Sequence, residues 1–138
     1  MESQSIKWIY ELVSLYLKKI FKCKIYNQFM SFDKEDEIGI FLYDGQNDQY
    51  TIDGNVTLRD IKVQVQYNCK RSNDGLYEGL DKLTEFVDLI EHTQSVIPNI
   101  SFVSVEHQGA KAKILHRNEY DIQVAYCTLD IKYTFNNE

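Results

Sequence analysis

The chain has 138 residues, 43% of them hydrophobic, with seven Phe and ten Tyr, which is enough apolar surface to offset the entropy of ordering one domain over 1–138 and too little chain for two comfortable cores. Fifteen Lys and Arg against twenty-one Asp and Glu give a net charge of −6, which opposes attraction to a phosphate backbone and disfavours a nucleic-acid-gripping protein. The apolar stretch from Ile6 to Phe21 is broken by Glu11, Lys18 and Lys19, so neither a membrane span nor a secretory leader is expected.

In chain order, the first element is a helix over Ile6–Phe21. Lys7, Glu11, Ser14, Lys18 and Lys22 recur at helical spacing as one narrow polar stripe, while Trp8, Ile9, Leu12, Val13, Tyr16, Leu17 and Ile20 fill most of the circumference. Such a helix is either sunk between a sheet and a loop or offers a second apolar flank, with Trp8 and Leu12, to another subunit. A short strand over Lys24–Met30 and a stronger one over Ile38–Tyr43 follow, with turn signals at Asp44-Gly45 and Asp53-Gly54-Asn55. Between Asp33 and Asp53 stand seven acids, Asp33, Glu35, Asp36, Glu37, Asp44, Asp48 and Asp53, against one lysine.

Arg59–Cys69 alternates cleanly, with Ile61, Val63, Val65, Tyr67 and Cys69 on one face and Lys62, Gln64, Gln66 and Asn68 on the other, which predicts one core face and one polar face. Ser72-Asn73-Asp74-Gly75 supplies helix-capping residues. Leu76, Leu80, Leu83, Val87 and Ile90 then mark an amphipathic helix whose outer face carries Asp81, Glu85, Asp88 and Glu91, before Pro98 marks the boundary to the next element. The last third predicts strands over Ile100–Glu106, Ala110–Leu115 and Tyr120–Phe135, joined at Gln108-Gly109 and Arg117-Asn118. In the last of these the apolar set shifts phase after Tyr126, which calls for either a bulge near Cys127–Thr128 or burial on both faces. The order helix, strands, helix, strands predicts an α+β fold, two main helices packed on a mainly antiparallel sheet.

No catalytic, cofactor-binding or metal-ligating constellation is legible, and no cofactor is expected. Cys23, Cys69 and Cys127 stand singly, which suits buried thiols in a reducing cytosol. The neighbours Glu91-His92 and Glu106-His107 diverge in a helix or strand and make poor acid–base couples. His107 and His116 would flank a hairpin without a third metal ligand, and Gly75 and Gly79 lack the Lys-Ser or Lys-Thr of a phosphate loop. Lys111, Lys113 and Arg117, with no acid between Gln108 and Asn118, form a compact basic hairpin. It is either a solvated hairpin or a partner for the acidic Asp33–Asp53 segment, including Asp36, Glu37, Asp44 and Asp48, of a neighbouring copy; two different complementary patches on one molecule give a head-to-tail contact that can close into a ring.

Two stretches, IKVQVQYNCKRSNDGLYEGLDKLTEFVDLIE over 61–91 and HQGAKAKILHRNEYDIQVAYCTLDIKY over 107–133, resemble the tail-terminator proteins of tailed bacteriophages, also described as minor capsid or head-tail joining proteins. The first is similar to that family's strand, polar turn and helix starting near an aromatic residue. The second is similar to its hairpin, Arg-Asn/Asp-Glu turn and long final strand. The resemblance implies a non-enzymatic virion protein of the tail or neck, assembled in the bacterial host cytoplasm. It further implies a ring, typically a hexamer, that caps the tail tube, meets the head connector or stopper protein and lets DNA pass without specific binding. Other neck proteins, such as head completion or stopper proteins, share the architecture, and a small protein-binding adaptor domain is the alternative of a different class.

Overall fold

The computed structural model describes residues 2–27, 34–43, 49–50, 56–92, 100–117 and 120–136. Along the chain these form α1 (Glu2–Ile20), β1 (Lys24–Asn27), β2 (Glu37–Tyr43), β3 (Gln49–Tyr50), β4 (Val56–Asn68), α2 (Gly75–Glu91), β5 (Ile100–His107), β6 (Lys111–Arg117) and β7 (Tyr120–Asn136). The class is α+β. One sheet runs in the order β1-β2-β4-β7-β5, with β3 added on β4 and β6 on β7. Among the described residues only β1 and β2 pair in parallel. The first predicted strand stops at Asn27, and its last three residues, Gln28 to Met30, lie outside the described residues.

The centre of the sheet is the β4–β7 pair, whose register runs unbroken from Val56 opposite Asn136 to Asn68 opposite Val124. The predicted core face of β4 meets its like across the ladder: Ile61, Val63, Val65 and Tyr67 lie opposite Ile131, Leu129, Cys127 and Ala125, and all eight are buried. No bulge interrupts β7 at Cys127–Thr128. Ile122 and Val124 are buried on one face of the strand and Ala125 and Cys127 on the other, so burial on both faces accounts for the phase shift.

The irregularities sit in the partner strand, and they correct the expected hairpin at Gln108-Gly109. β5 and β6 do not pair with each other; both run antiparallel along the same edge of β7, end to end. His107 lies opposite Leu129 and Lys111 opposite Tyr126, so the residues between them carry one more than β7 offers. That is a bulge, and Gly109 takes the positive φ of 83° it requires. A second register shift falls between Phe102 and Ser104. The true hairpin is β6–β7. His107 and His116 therefore stand nine residues apart along one edge, about 30 Å at strand rise, and do not approach each other.

In α1 the exposed line is Lys7, Glu11, Leu15, Lys18 and Lys19, while Ser14, expected on the polar stripe, is buried. α2 buries Leu83, Phe86, Val87 and Ile90, leaves Leu76 and Leu80 half-buried, and exposes Asp81, Glu85, Asp88 and Glu91. The expected side-chain cap is not made: Asp74 occupies the N-cap without a side-chain bond, and its carbonyl accepts the Glu78 N–H at 2.9 Å. Gly79 faces the end of β4 so closely that a Cβ there would lie 2.9 Å from the Cys69 sulfur and 3.0 Å from the Tyr67 ring. The Phe21 and Tyr67 rings pack at a tilt of 50° with centroids 4.8 Å apart. Buried side chains of both helices, β2, β4 and β7 join one hydrophobic cluster.

Candidate functional site

Of the acids proposed as a contact surface, Asp36 and Glu37 turn inward, while Glu35 is exposed. Asp36, at a positive φ of 58°, accepts the Tyr67 hydroxyl at 2.7 Å, while its backbone N–H donates to the Asn68 carbonyl at 2.8 Å. Glu37 is buried and accepts the Tyr26 hydroxyl at 2.8 Å. Glu35 accepts the Arg71 backbone N–H at 2.9 Å, with the Arg71 guanidinium 4.0 Å away. Burial first, then the bond to Asp36, pushes the Tyr67 hydroxyl well above its ordinary range, so it remains a proton donor. Tyr26 is raised likewise, chiefly by its bond to Glu37. These acids pin the approach to β2 against the end of β4, so Asp36 and Glu37 each hold a partner within their own chain. Asp33, Asp44, Asp48 and Asp53 lie outside the described residues.

Trp8 is half-buried, whereas Leu12 is 1% exposed within a single chain and has no surface to give a partner. That corrects Leu12 as a contact candidate: an apolar flank in sequence is a buried flank in the fold.

The basic residues gather at one end of the sheet. Lys111 is exposed and donates to Gln108 Oε1 at 3.0 Å. Lys113 holds its ammonium 4.9 Å over the Tyr126 ring. The Arg117 backbone lies opposite Tyr120, and its side chain lies outside the described residues. On the other face of β6, Ile114 is 54% exposed. It borders a cleft of about 380 Å³ whose other wall is Lys70, Arg71, Ser72 and Asn73, with Gln123 and Cys69 completing the lining. The Cys69 N–H donates to the Gln123 carbonyl at 2.9 Å and ties the two walls together. Lys70 and Arg71 were missed as part of this surface, because only the β4–β7–β6 register brings them beside β6.

A second cluster lies on the polar face of the central pair. Register sets Asp60 opposite Lys132 and Lys62 opposite Asp130, yet the two carboxyl groups also face each other. Proton sharing with Asp130, then burial and the Asp130 charge, raises the Asp60 carboxyl to about 6, partly countered by Lys132 and Lys62. Beside it lies a groove of about 300 Å³ lined by Lys62, Glu106, His107, Gln108, Thr128 and Asp130. His107 Nδ1 accepts the Gly109 N–H at 3.0 Å, which leaves Nε2 to donate to Glu91 at 3.2 Å. Glu91 thus pairs across α2 and β5 with His107 and not with its neighbour His92, whose Nδ1 lies 2.9 Å from the Asp88 carbonyl.

Burial pushes all three thiols up, Cys23 and Cys69 to about 11 and Cys127 to about 12, so none is poised as a thiolate nucleophile at neutral pH. Among the described residues no three His, Cys, Asp or Glu side chains gather as metal ligands, and no helix is long and apolar enough to cross a membrane. No protein-family model and no curated protein sequence matches the chain.

Proposed function

We propose that the chain is a structural subunit of a phage tail or neck, a tail terminator that assembles into a ring, caps the tail tube and offers a surface to the head connector. The observation that carries this reading is the way the two resembling stretches fold. Residues 61–91 comprise the second half of β4, a polar connection and α2, with Tyr77 near the helix start; residues 107–133 comprise the end of β5, β6 and most of β7, the longest of the described strands. The strand, polar connection, helix and long final strand are among the units the resemblance implies, whereas the hairpin it places at the start of the second stretch is a bulged edge of β7 here. In this reading the two helices pack on one face of the sheet, and subunit contacts fall to the surfaces that remain open, among them the basic end of β6 with Lys111 and Lys113. Nothing in it calls for a cofactor or a reacting group, and the net charge of −6 suits a ring through which DNA slides without sticking.

The test is the mass of the purified chain in solution, followed by negative-stain microscopy of the chain mixed with tail tubes. Rings seated at tube ends are expected. A chain that remains monomeric and ignores the tubes sinks the proposal and leaves a single-partner adaptor domain in its place.

A further inference from the structure

Of the two histidines whose side chains the structure describes, one holds a bond that a proton breaks. His92 places Nδ1 2.9 Å from the Asp88 carbonyl, a bond in which the ring donates, so it survives whether the ring is neutral or charged. His107 is built the other way round. A backbone N–H can only donate, so the Gly109 bond at 3.0 Å makes Nδ1 an acceptor and puts the proton of the neutral ring on Nε2, toward Glu91 at 3.2 Å. The ring thus bridges the bulge between β5 and β6 to the last residue of α2, and its two contacts answer a second proton in opposite ways. A proton on Nδ1 sets two donors against each other and removes the Gly109 bond, while the contact with Glu91 becomes a charge-assisted one.

We propose that His107 is a proton-operated latch on the sheet edge: neutral, it holds the bulge closed at Gly109, and protonated, it releases Gly109 and keeps its hold on α2. Gly109 sits at a φ of 83° with open space where a Cβ would stand, so no packing on that side replaces the lost bond. Gln108, inside the same bulge, accepts the Lys111 ammonium at 3.0 Å, so the release reaches the first residue of β6. The titratable and charged groups around the ring come from every neighbouring element. Glu91 reaches it from α2, with Asp88 and His92 beside that residue; Glu106 precedes it on β5, and Asp130 lies opposite Glu106 on β7; Lys62 of β4 lines the adjoining groove, and Lys111 begins β6. Of these, Glu91 is the one bonded to the ring, and it stays with the imidazolium as its countercharge. The latch works within a lone chain and is independent of the ring reading.

The test is NMR of the full chain from about pH 8 to about pH 5, the interval in which histidine rings ordinarily change charge, following the His107 ring and the Gly109 amide. The ring nitrogen shifts should show Nε2 protonated throughout and Nδ1 gaining its proton. In step with that, the Gly109 amide proton should move upfield and lose roughly tenfold of its protection against hydrogen exchange, the scale of one hydrogen bond. His107→Asn keeps an acceptor oxygen near the Nδ1 position and takes up no proton, so its Gly109 amide should hold still; His92→Gln should step like the wild type. A Gly109 amide that does not move while the His107 ring titrates overturns the latch, as does a neutral ring with its proton on Nδ1 or a ring that stays neutral throughout. A folded His107→Asn chain whose Gly109 amide steps like the wild type also overturns it and passes the step to Glu106 or Asp130. If that variant does not fold, by circular dichroism, the wild-type titration decides alone.

Discussion

The polar face of the β4–β7 pair behaves differently at its two ends. At the end nearest α2, Gln66 and Asn68 are buried: the Asn68 amide donates to the Lys34 carbonyl at 3.0 Å, and the Gln66 amide reaches Asn68 Oδ1 at 3.5 Å. At the other end Lys62 is exposed and Asp60, Asp130 and Lys132 are half-buried, with the two carboxyl groups facing each other and the Oδ1 of each without a partner. One alternating pattern on the same two strands produces both. Period two fixes the side of the sheet a residue faces; its depth depends on what crosses over it, here the segment entering β2, some thirty residues away in the chain.

The largest effect that would separate the faces comes from the uniformly apolar one. Ile131→Ala, opposite Ile61 with both side chains buried, should cost about 2–5 kcal/mol in urea unfolding, whereas Lys62→Ala, exposed on the polar face, should stay within about 0.5 kcal/mol. Equal losses would mean that the apolar face is not the core. The buried polar end comes next. Asn68→Ala strips the Lys34 carbonyl of its donor and should cost about 1–3 kcal/mol, well above the Lys62 control; parity with that control would show water replacing the amide there. Smaller again is Gly79→Ala. Its Cβ would press on the Cys69 sulfur and the Tyr67 ring, a cost of about 1–3 kcal/mol set against roughly 1 kcal/mol of helix propensity. A net loss of about 1 kcal/mol is expected, and a gain in stability would show that α2 has room to lift from the end of β4.

Much of the frame was legible in the sequence. Ile61 to Cys69 and the outer acids of α2 lie where their periodicities put them, because a half-buried strand or helix stamps its own geometry on its pattern. What escaped were relations between distant segments. Gln108-Gly109 carries a turn signature, yet a bulge in an edge strand asks for the same residues as a turn, and only the register against β7 separates the two. Glu35, Asp36 and Glu37 read as part of an acidic segment that could face a neighbouring copy, and composition gave no hint that Tyr26, Tyr67 and the Arg71 backbone would engage them. The basic surface was found as Lys111 and Lys113, but its other wall, Lys70 and Arg71, lies forty residues earlier and joins only through the sheet.

The smallest effect belongs to the carboxyl pair and carries its own sign. The Asp60 carboxyl is raised from an ordinary 3.8 to about 6 in the fold, so between those values the folded chain holds a proton that the unfolded chain has released. The contribution of the pair to stability is therefore fully present below about 3.8 and is lost as pH rises through about 6. Both residues are only half-buried, and Lys62 and Lys132 stand beside them, so the loss should amount to about 1 kcal/mol or less. Asp60→Asn gives Asp130 an N–H donor that cannot titrate, and its stability should lack that downward step. Urea unfolding of both chains from pH 4 to 6.5 should show the wild type falling relative to the variant across this window. Parallel curves would mean that the two carboxylates share no proton, that Lys62 and Lys132 neutralise them separately, and that the polar face is solvated at this end like any surface ladder.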